Sequence, residues 1–171
     1  KALPGLVVSV LVPNLKGAQR AIECGAHSML LPLSASRAHS LANLRKTPDD
    51  VVAEIAAIRA ERDAAGSACL LEVGISTAFG CTIQGRVDPD EVLRLLRAVL
   101  DAGVERVGLA DPVGYADPKA VREISKALSE IDHIVSLFRR FSDLGEELAD
   151  AQELALSADT AGATGDTEFA A

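Results

Sequence analysis

Ser76, Thr77 and Cys81 stand in the stretch ISTAFGCTIQG, residues 75–85, where an apolar run passes directly into a loop with two glycines. Two hydroxyls and a thiol so placed can meet a small ligand, the hydroxyls as hydrogen-bond partners and the thiol as a nucleophile once deprotonated. Three other apolar runs end in the same manner. Residues 6–12 stop at Pro13-Asn14, residues 27–33 run into Ser34-Ala35-Ser36, and residues 104–110 end at Asp111. A strand end that must approach a ligand closely favours small polar residues and glycine. Asn14, Ser34, Ser36, Ser76 and Thr77 are therefore candidate substrate-binding residues, and Cys81 is a candidate reactive thiol. Each has a plainer reading: a helix N-cap for Asn14, turn formation for the hydroxyls, and packing for Cys81.

The elements that must position these groups follow from periodicity. NLKGAQRAIECGA (14–26) reads as a helix of about 10 residues stopped by Gly25. Thr47-Pro48-Asp49-Asp50 is a helix start, with Thr47 as N-cap, Pro48 at the first helical position and acids in the first turn. That helix runs to Ala65, and its Val51, Ile55 and Ile58 recur at spacings of three and four. Asp88-Pro89-Asp90-Glu91 repeats the signal for a helix running to Gly103, and Asp117-Pro118 opens another to about Leu128. SASRAHSLANLRK (34–46) reads as a polar loop. Glu72, inside an apolar strand, is either an inward-facing acid or a paired structural one. His27 and His39 read as structural or solvated.

Four strand–loop–helix units in 128 residues imply a buried parallel sheet with every post-strand loop at one edge, where parallel α/β folds bind ligands. Two architectures compete. A doubly wound sheet fits the length, whereas a whole (β/α)8 barrel needs roughly 250 residues, so this chain would supply half of one. Neither GxGxxG nor GxxxxGK[ST] follows a strand.

Composition sets further bounds. Residues 1–128 hold 15 basic and 15 acidic side chains, whereas residues 129–171 hold 2 and 10. The whole net charge of −8 belongs to the last part, which marks a region boundary near 128. No basic patch invites nucleic acid. No apolar run is long enough to span a membrane, and no secretory leader is legible. Three cysteines, Cys24, Cys69 and Cys81, without a CxxC or a Cys/His cluster, suit neither a disulfide framework nor zinc and point to a reducing cytoplasm. Beyond 129 the pattern is a tail helix or helices to 157, with Ile134, Leu137, Phe138, Phe141 and Leu144 on one face and a lone His133, followed by a small, polar, disordered end over 158–171.

Taken together, VPNLKGAQRAIECGA (12–26), SASRAH (34–39), ISTAFGCTIQGRVDPDEV (75–92) and VGLADPVGYADP (107–118) resemble, in order and spacing, the hydroxymethylglutaryl-CoA lyase family of pyruvate-carboxyltransferase-like metal-dependent barrels. The resemblance implies a partial TIM barrel, with these units as its third to sixth strands. It implies a carbon–carbon lyase that cleaves 3-hydroxy-3-methylglutaryl-CoA to acetyl-CoA and acetoacetate. A Mg²⁺ or Mn²⁺ ion would serve as Lewis acid while a base removes the hydroxyl proton. It places Asp111 and Cys81 in the catalytic region and an acyl-CoA as the partner.

The departures matter as much. The family's Arg-Asp pair on the first strand, its His-x-His metal pair on the seventh and its Cys-containing lid and Asn ligand on the eighth have no counterpart here, so the resemblance assigns no metal ligand in this chain. Gly80-Cys81-Thr82 stands where the family has Gly-Cys-Pro, Gln84 where it has an acid, and Asp111-Pro112 where it has Asp-Thr. The expectation is an inactive chain. The tail stretches LADAQELA and DTEFAA are similar to the N-terminal helical region of bacterial peptide-chain release factors, which suggests a foreign or frameshifted end. Two alternatives to an enzyme stay open: a non-catalytic half-barrel that joins a second copy or another chain through its open sheet edges, and a truncated or frameshifted product without a selected role.

Overall fold

A computed structural model describes residues 5–130 together with 140, 144, 145, 147, 148 and 150–152. Four strands, β1 (Ser9–Leu11), β2 (Ser28–Ser34), β3 (Leu70–Ser76) and β4 (Arg106–Leu109), form one parallel sheet in the order β1-β2-β3-β4. Helices α1 (Leu15–Glu23), α2 (Arg37–Leu44), α3 (Pro48–Ala64) and α4 (Pro89–Asp101) alternate with them, and residues 118–130 are also helical. The chain divides into two compact units, Lys1–Ser129 and Glu130–Ala171. The apolar stripe expected over 134–141 and His133 lie outside the described residues. So does 158–171, while the described positions from 140 to 152 are helical.

Strand order decides between the two architectures. A doubly wound sheet reverses its order at a switch point and carries helices on both faces. Here the order never reverses. Register aligns Met29 with Leu71, Leu31 with Val73 and Leu33 with Ile75, and all six are buried. The opposite face pairs Leu11 with Leu30, Leu30 with Glu72 and Glu72 with Arg106, a row in which Leu11 and Leu30 stay exposed. A parallel sheet covered on one face only, wound in one direction, is an arc of a (β/α)8 barrel.

The helix-covered face makes the core. Val51, Ile55 and Ile58 of α3 and Val92, Leu95, Leu96 and Val99 of α4 are buried against it. At about 25 cal/mol per Å² of apolar surface, each such side chain contributes roughly 1.5–3 kcal/mol. Helix starts follow their local chemistry. Thr47 and Asp50 form a reciprocal capping box on α3, and Asp88 caps α4 through the Asp90 amide. Below the core, Arg62 is buried and bonds Glu105, Asp63 and the Cys69 carbonyl, while Glu105 also accepts the Leu71 amide. Burial pushes the Arg62 pKa down, yet the two carboxylates outweigh it and hold the guanidinium firmly charged.

Three sequence expectations need correction. Residues 37–44, read as polar loop, are helix α2. Its signal is weak because the first turn holds no acid and the last no base. It ends at Arg45 in the left-handed region, φ 57°, a position that glycine more commonly fills. β1 is shorter than 6–12, because the Val8 amide donates to His27 Nδ1 and the Val8 carbonyl accepts from His27 and Ser28 instead of extending the ladder in step. β4 is likewise shorter than 104–110, since the Val104 amide closes the end of α4 by bonding the Val99 carbonyl.

Candidate functional site at the C-terminal strand ends

Parallel pairing brings the ends of β2 and β3 together, with Ser34 opposite Ser76. Thr77 follows in the left-handed region, φ 56°, unusual for a β-branched residue and worth about 1–2 kcal/mol of strain. Its hydroxyl explains how that conformation is held. Thr77 Oγ1 donates to the Ser76 carbonyl at 2.6 Å, accepts the Ser36 amide at 3.0 Å and lies 2.8 Å from Ser34 Oγ. Since the one Thr77 proton goes to Ser76 O, Ser34 must donate to Thr77. His39 Nδ1, 3.1 Å from Ser34 Oγ, must then be the protonated ring nitrogen and donate to Ser34. The result is a one-directional chain, His39 to Ser34 to Thr77 to Ser76 O, on buried Ser34 and Thr77 and half-buried His39.

A second strand of the network joins α2 to the loop after β3. Ser36 caps α2 by accepting the His39 amide at 3.1 Å and donates its proton to Gln84 Oε1 at 3.0 Å. Gln84 Oε1 also accepts the Ala38 amide at 3.3 Å. Gln84 thus sits on the positive end of α2 as a neutral carbonyl. The loop closes through Cys81 and Gly85, whose backbones bond mutually at 2.8 and 2.7 Å.

Cys81 is buried, and its Sγ accepts the amides of Ile83 at 3.3 Å and Gln84 at 3.5 Å. Burial pushes the thiol up, but the Ser36 hydroxyl and these two amides pull it further down, so it settles below its ordinary value. A Cys81 thiolate would compete with Gln84 for the single Ser36 proton.

Asp111 lies two residues after β4 and anchors the next loop. Its carboxylate accepts the amides of Gly114 at 2.9 Å, Tyr115 at 3.1 Å and Ala116 at 2.8 Å. The Ala116 bond is the main reason its pKa lies below the usual carboxylate value. Slight desolvation opposes it, and the Tyr115, Gly114 and Val113 amides add to it. The two loops touch through the Ala78 amide on the Ala110 carbonyl and through Tyr115 against Gly80.

Of the candidates drawn from the sequence, Ser34, Ser36, Thr77 and Cys81 therefore share one network. Ser76 adjoins it, with Oγ donating to the Leu33 carbonyl at 3.1 Å. Asp111 belongs to the neighbouring loop. Asn14 stands at the same sheet edge but is exposed and spends its side chain capping α1, accepting the Gly17 amide at 2.9 Å. Sequence reasoning missed His39, Gln84 and Tyr115 as members of this rim. Ser36-Arg37-Ala38-His39 holds the cap-to-third-residue spacing that would have found His39.

Among the described residues, no three of His, Cys, Asp and Glu converge as a metal site, and no helix is long and apolar enough to cross a membrane. The described residues therefore supply no donor set that fits the divalent ion implied by the family resemblance.

Comparison with known proteins gives one consistent answer. The family model described as HMGL-like matches residues 2–162, and so continues past residue 128, where the lyase likeness was expected to stop. The chain is 29% identical over 124 residues to the hydroxymethylglutaryl-CoA lyase of Bacillus subtilis, covering 72% of this chain and 41% of that one. It is 30% identical over 122 residues to the (R)-citramalyl-CoA lyase of Chloroflexus aurantiacus, covering 70% and 37%. A solved HMG-CoA lyase from Acinetobacter baumannii, in complex with coenzyme A and 3-methylmalate, superposes with a TM-score of 0.66 at 33% identity over 80% of this chain and 42% of that one. The chain thus spans about two fifths of these relatives' length, and its sheet is part of a TIM barrel.

Proposed function

The chain belongs to the HMGL-like family, and from that premise we propose that its rim binds an acyl thioester as the central part of a hydroxymethylglutaryl-CoA lyase-like carbon–carbon lyase. The reaction assigned is cleavage of 3-hydroxy-3-methylglutaryl-CoA to acetyl-CoA and acetoacetate. The observation that carries this reading is the shared network of Ser34, Ser36, Thr77 and Cys81 at the C-terminal ends of β2 and β3, the edge where parallel barrels place their chemistry. Ser76, Thr77, Ser34, Ser36 and Asn14 are assigned to the substrate side, with Asp111 and Cys81 beside the reacting end.

These groups suit binding better than bond cleavage. The Asp111 carboxylate is already engaged by three amides of its own loop, so it acts as a fixed negative charge and not as a free base. Cys81 is buried and hydrogen-bonded. We therefore assign this chain, on its own, the thioester-holding part of the site and no turnover. The Mg²⁺ or Mn²⁺ ion implied by the family belongs to the proposal only as a property of the complete enzyme. A cytoplasmic location completes it, supported by three unpaired cysteines. The test is an assay of the purified chain with 3-hydroxy-3-methylglutaryl-CoA and Mg²⁺. Acetoacetate release at background is expected, and robust Mg²⁺-dependent release overturns the assignment.

A second reading rests on the β1 edge. Leu11 is exposed there, and a cavity of about 340 Å³ lies between β1 and α1, lined by residues including Val10, Val12 and Ala21. Open strand edges pair with other strands. On this reading the chain is a non-catalytic half-barrel that self-associates, and light scattering at increasing concentration tests it. A monomer throughout ends the idea.

A further inference from the structure

The loops after β3 and β4 approach closely where Tyr115 crosses Gly80. A Cβ added to Gly80 would lie 2.4 Å from Tyr115 Cδ2 and 3.2 Å from its Cβ and Cγ, so the ring rests on bare backbone. Gly80 has φ +151°, which side-chain-bearing residues rarely adopt, so both geometry and space require glycine there. Behind the ring, the Tyr115 amide is fixed on Asp111 Oδ1 at 3.1 Å, which also holds the Gly114 amide. The ring is thus pinned from its backbone and from beneath. It nevertheless remains 55% exposed, and its hydroxyl makes no hydrogen bond among the described residues. Ile83, 58% exposed, is the other large apolar side chain that this pair of loops leaves exposed among the described residues. The same two loops carry the buried Thr77 hydroxyl and the Asp111 carboxylate.

Resting on the acyl-thioester reading above, we propose that Tyr115, laid across Gly80, is a specificity-determining residue of this rim, an apolar wall that selects the acyl group of the thioester by its aliphatic length. A pinned aromatic ring contributes apolar area without losing rotamer freedom on binding. It stands on the loop that Asp111 organises, beside the loop that holds Thr77 and Cys81, and so beside the acyl end of a thioester bound at the rim. Each methylene buried on such a surface strengthens binding by about fourfold.

The chain itself supplies the probe, for it has one tyrosine and no tryptophan, so intrinsic emission reports Tyr115 alone. The experiment titrates the full chain with S-acyl N-acetylcysteamine thioesters, acetyl to butyryl, which carry no nucleotide to absorb the exciting light. Saturable change in Tyr115 emission is expected, with affinity rising about fourfold per methylene. Calorimetry on variants then separates the roles. Tyr115→Phe keeps the ring and should keep the length dependence, Tyr115→Ala should flatten it, and Gly80→Ala, which displaces the ring, should weaken it while circular dichroism stays native. An undiminished length dependence in Tyr115→Ala overturns this inference and leaves the thioester reading standing. Absence of binding by every thioester to the unmodified chain overturns both.

Discussion

Ser34 Oγ lies 2.8 Å from Thr77 Oγ1 across the ends of two neighbouring parallel strands, and neither side chain touches solvent to any extent. Each serves the other's geometry. Thr77 keeps its left-handed backbone because its hydroxyl gathers the Ser36 amide, the Ser34 hydroxyl and the Ser76 carbonyl. Ser34 in turn carries the bond from His39. The first prediction follows. Thr77→Val preserves shape but leaves the buried Ser34 hydroxyl and Ser36 amide without their acceptor, and should cost about 1–3 kcal/mol in urea denaturation. Thr77→Ser retains the oxygen and should cost less than half as much. Equal losses for the two would show that the hydroxyl is not what holds the turn.

Gln84 covers the N-terminal end of α2 with an uncharged oxygen. Gln84→Glu would place a carboxylate on the same donors, where a helix N-terminus favours negative charge by about 0.3–1 kcal/mol. The same charge lies near Cys81 and should disfavour its thiolate. The thiol's titration, followed by thiolate absorbance, should therefore move upward in Gln84→Glu, and upward again in Ser36→Ala, which removes the hydroxyl that a thiolate would draw away from Gln84. A downward movement in either variant would contradict this account of Cys81.

Asp111 makes the loop 111–116 sensitive to acid. Its pKa is depressed in the folded chain, so its contribution is complete above the unfolded carboxylate value near 3.9 and is lost as pH falls through the lower folded value. Amide exchange at Gly114, Tyr115 and Ala116 should stay slow relative to an acid-insensitive reference down to about pH 4 and accelerate below it. Asp111→Asn should show the acceleration already at neutral pH. Exchange in the variant indistinguishable from the parent would remove Asp111 as the anchor.

Arg62 and Glu105 tie α3 to the N-terminal ends of β3 and β4. Glu105→Ala removes one of the two carboxylates that hold the largely buried Arg62, leaving Asp63 and the Cys69 carbonyl, and frees the Leu71 amide, so it should destabilise the unit by about 1–3 kcal/mol. It should leave thioester binding at the opposite sheet edge unchanged once the chain is folded. Loss of binding in a natively folded Glu105→Ala chain would refute the separation of scaffold from site.

What the sequence made legible was local. Thr47-Pro48-Asp49-Asp50 and Asp88-Pro89-Asp90-Glu91 each hold a complete helix start within four residues, and both helices begin where those residues place them. Continuous apolar strands announced a parallel sheet, although one of its faces stays open at Leu11 and Leu30, and the small polar residues after the strands gather at one end of it. α2 escaped because its cap, Ser36, is followed by no first-turn acid and its end is a non-glycine left-handed residue. The pairing of Ser36 with Gln84 joins positions 48 apart, and that of Gly80 with Tyr115 depends on how two loops cross. Neither leaves a periodic trace. Asn14 and Asp111 show the converse limit, since a polar residue after a strand reads the same whether it faces a ligand or holds its own backbone.

The most direct test of the central claim is residue-resolved NMR of the chain titrated with acetyl-CoA. Amide shifts should move saturably at Ser34, Ser36, Thr77, Cys81 and Tyr115, at the C-terminal ends of β2, β3 and β4, and should stay fixed at Leu70, Leu71 and Glu105 at the other end of the sheet. Shifts clustered at that other end, or none at millimolar thioester, would contradict the assignment of this rim as a thioester-binding surface.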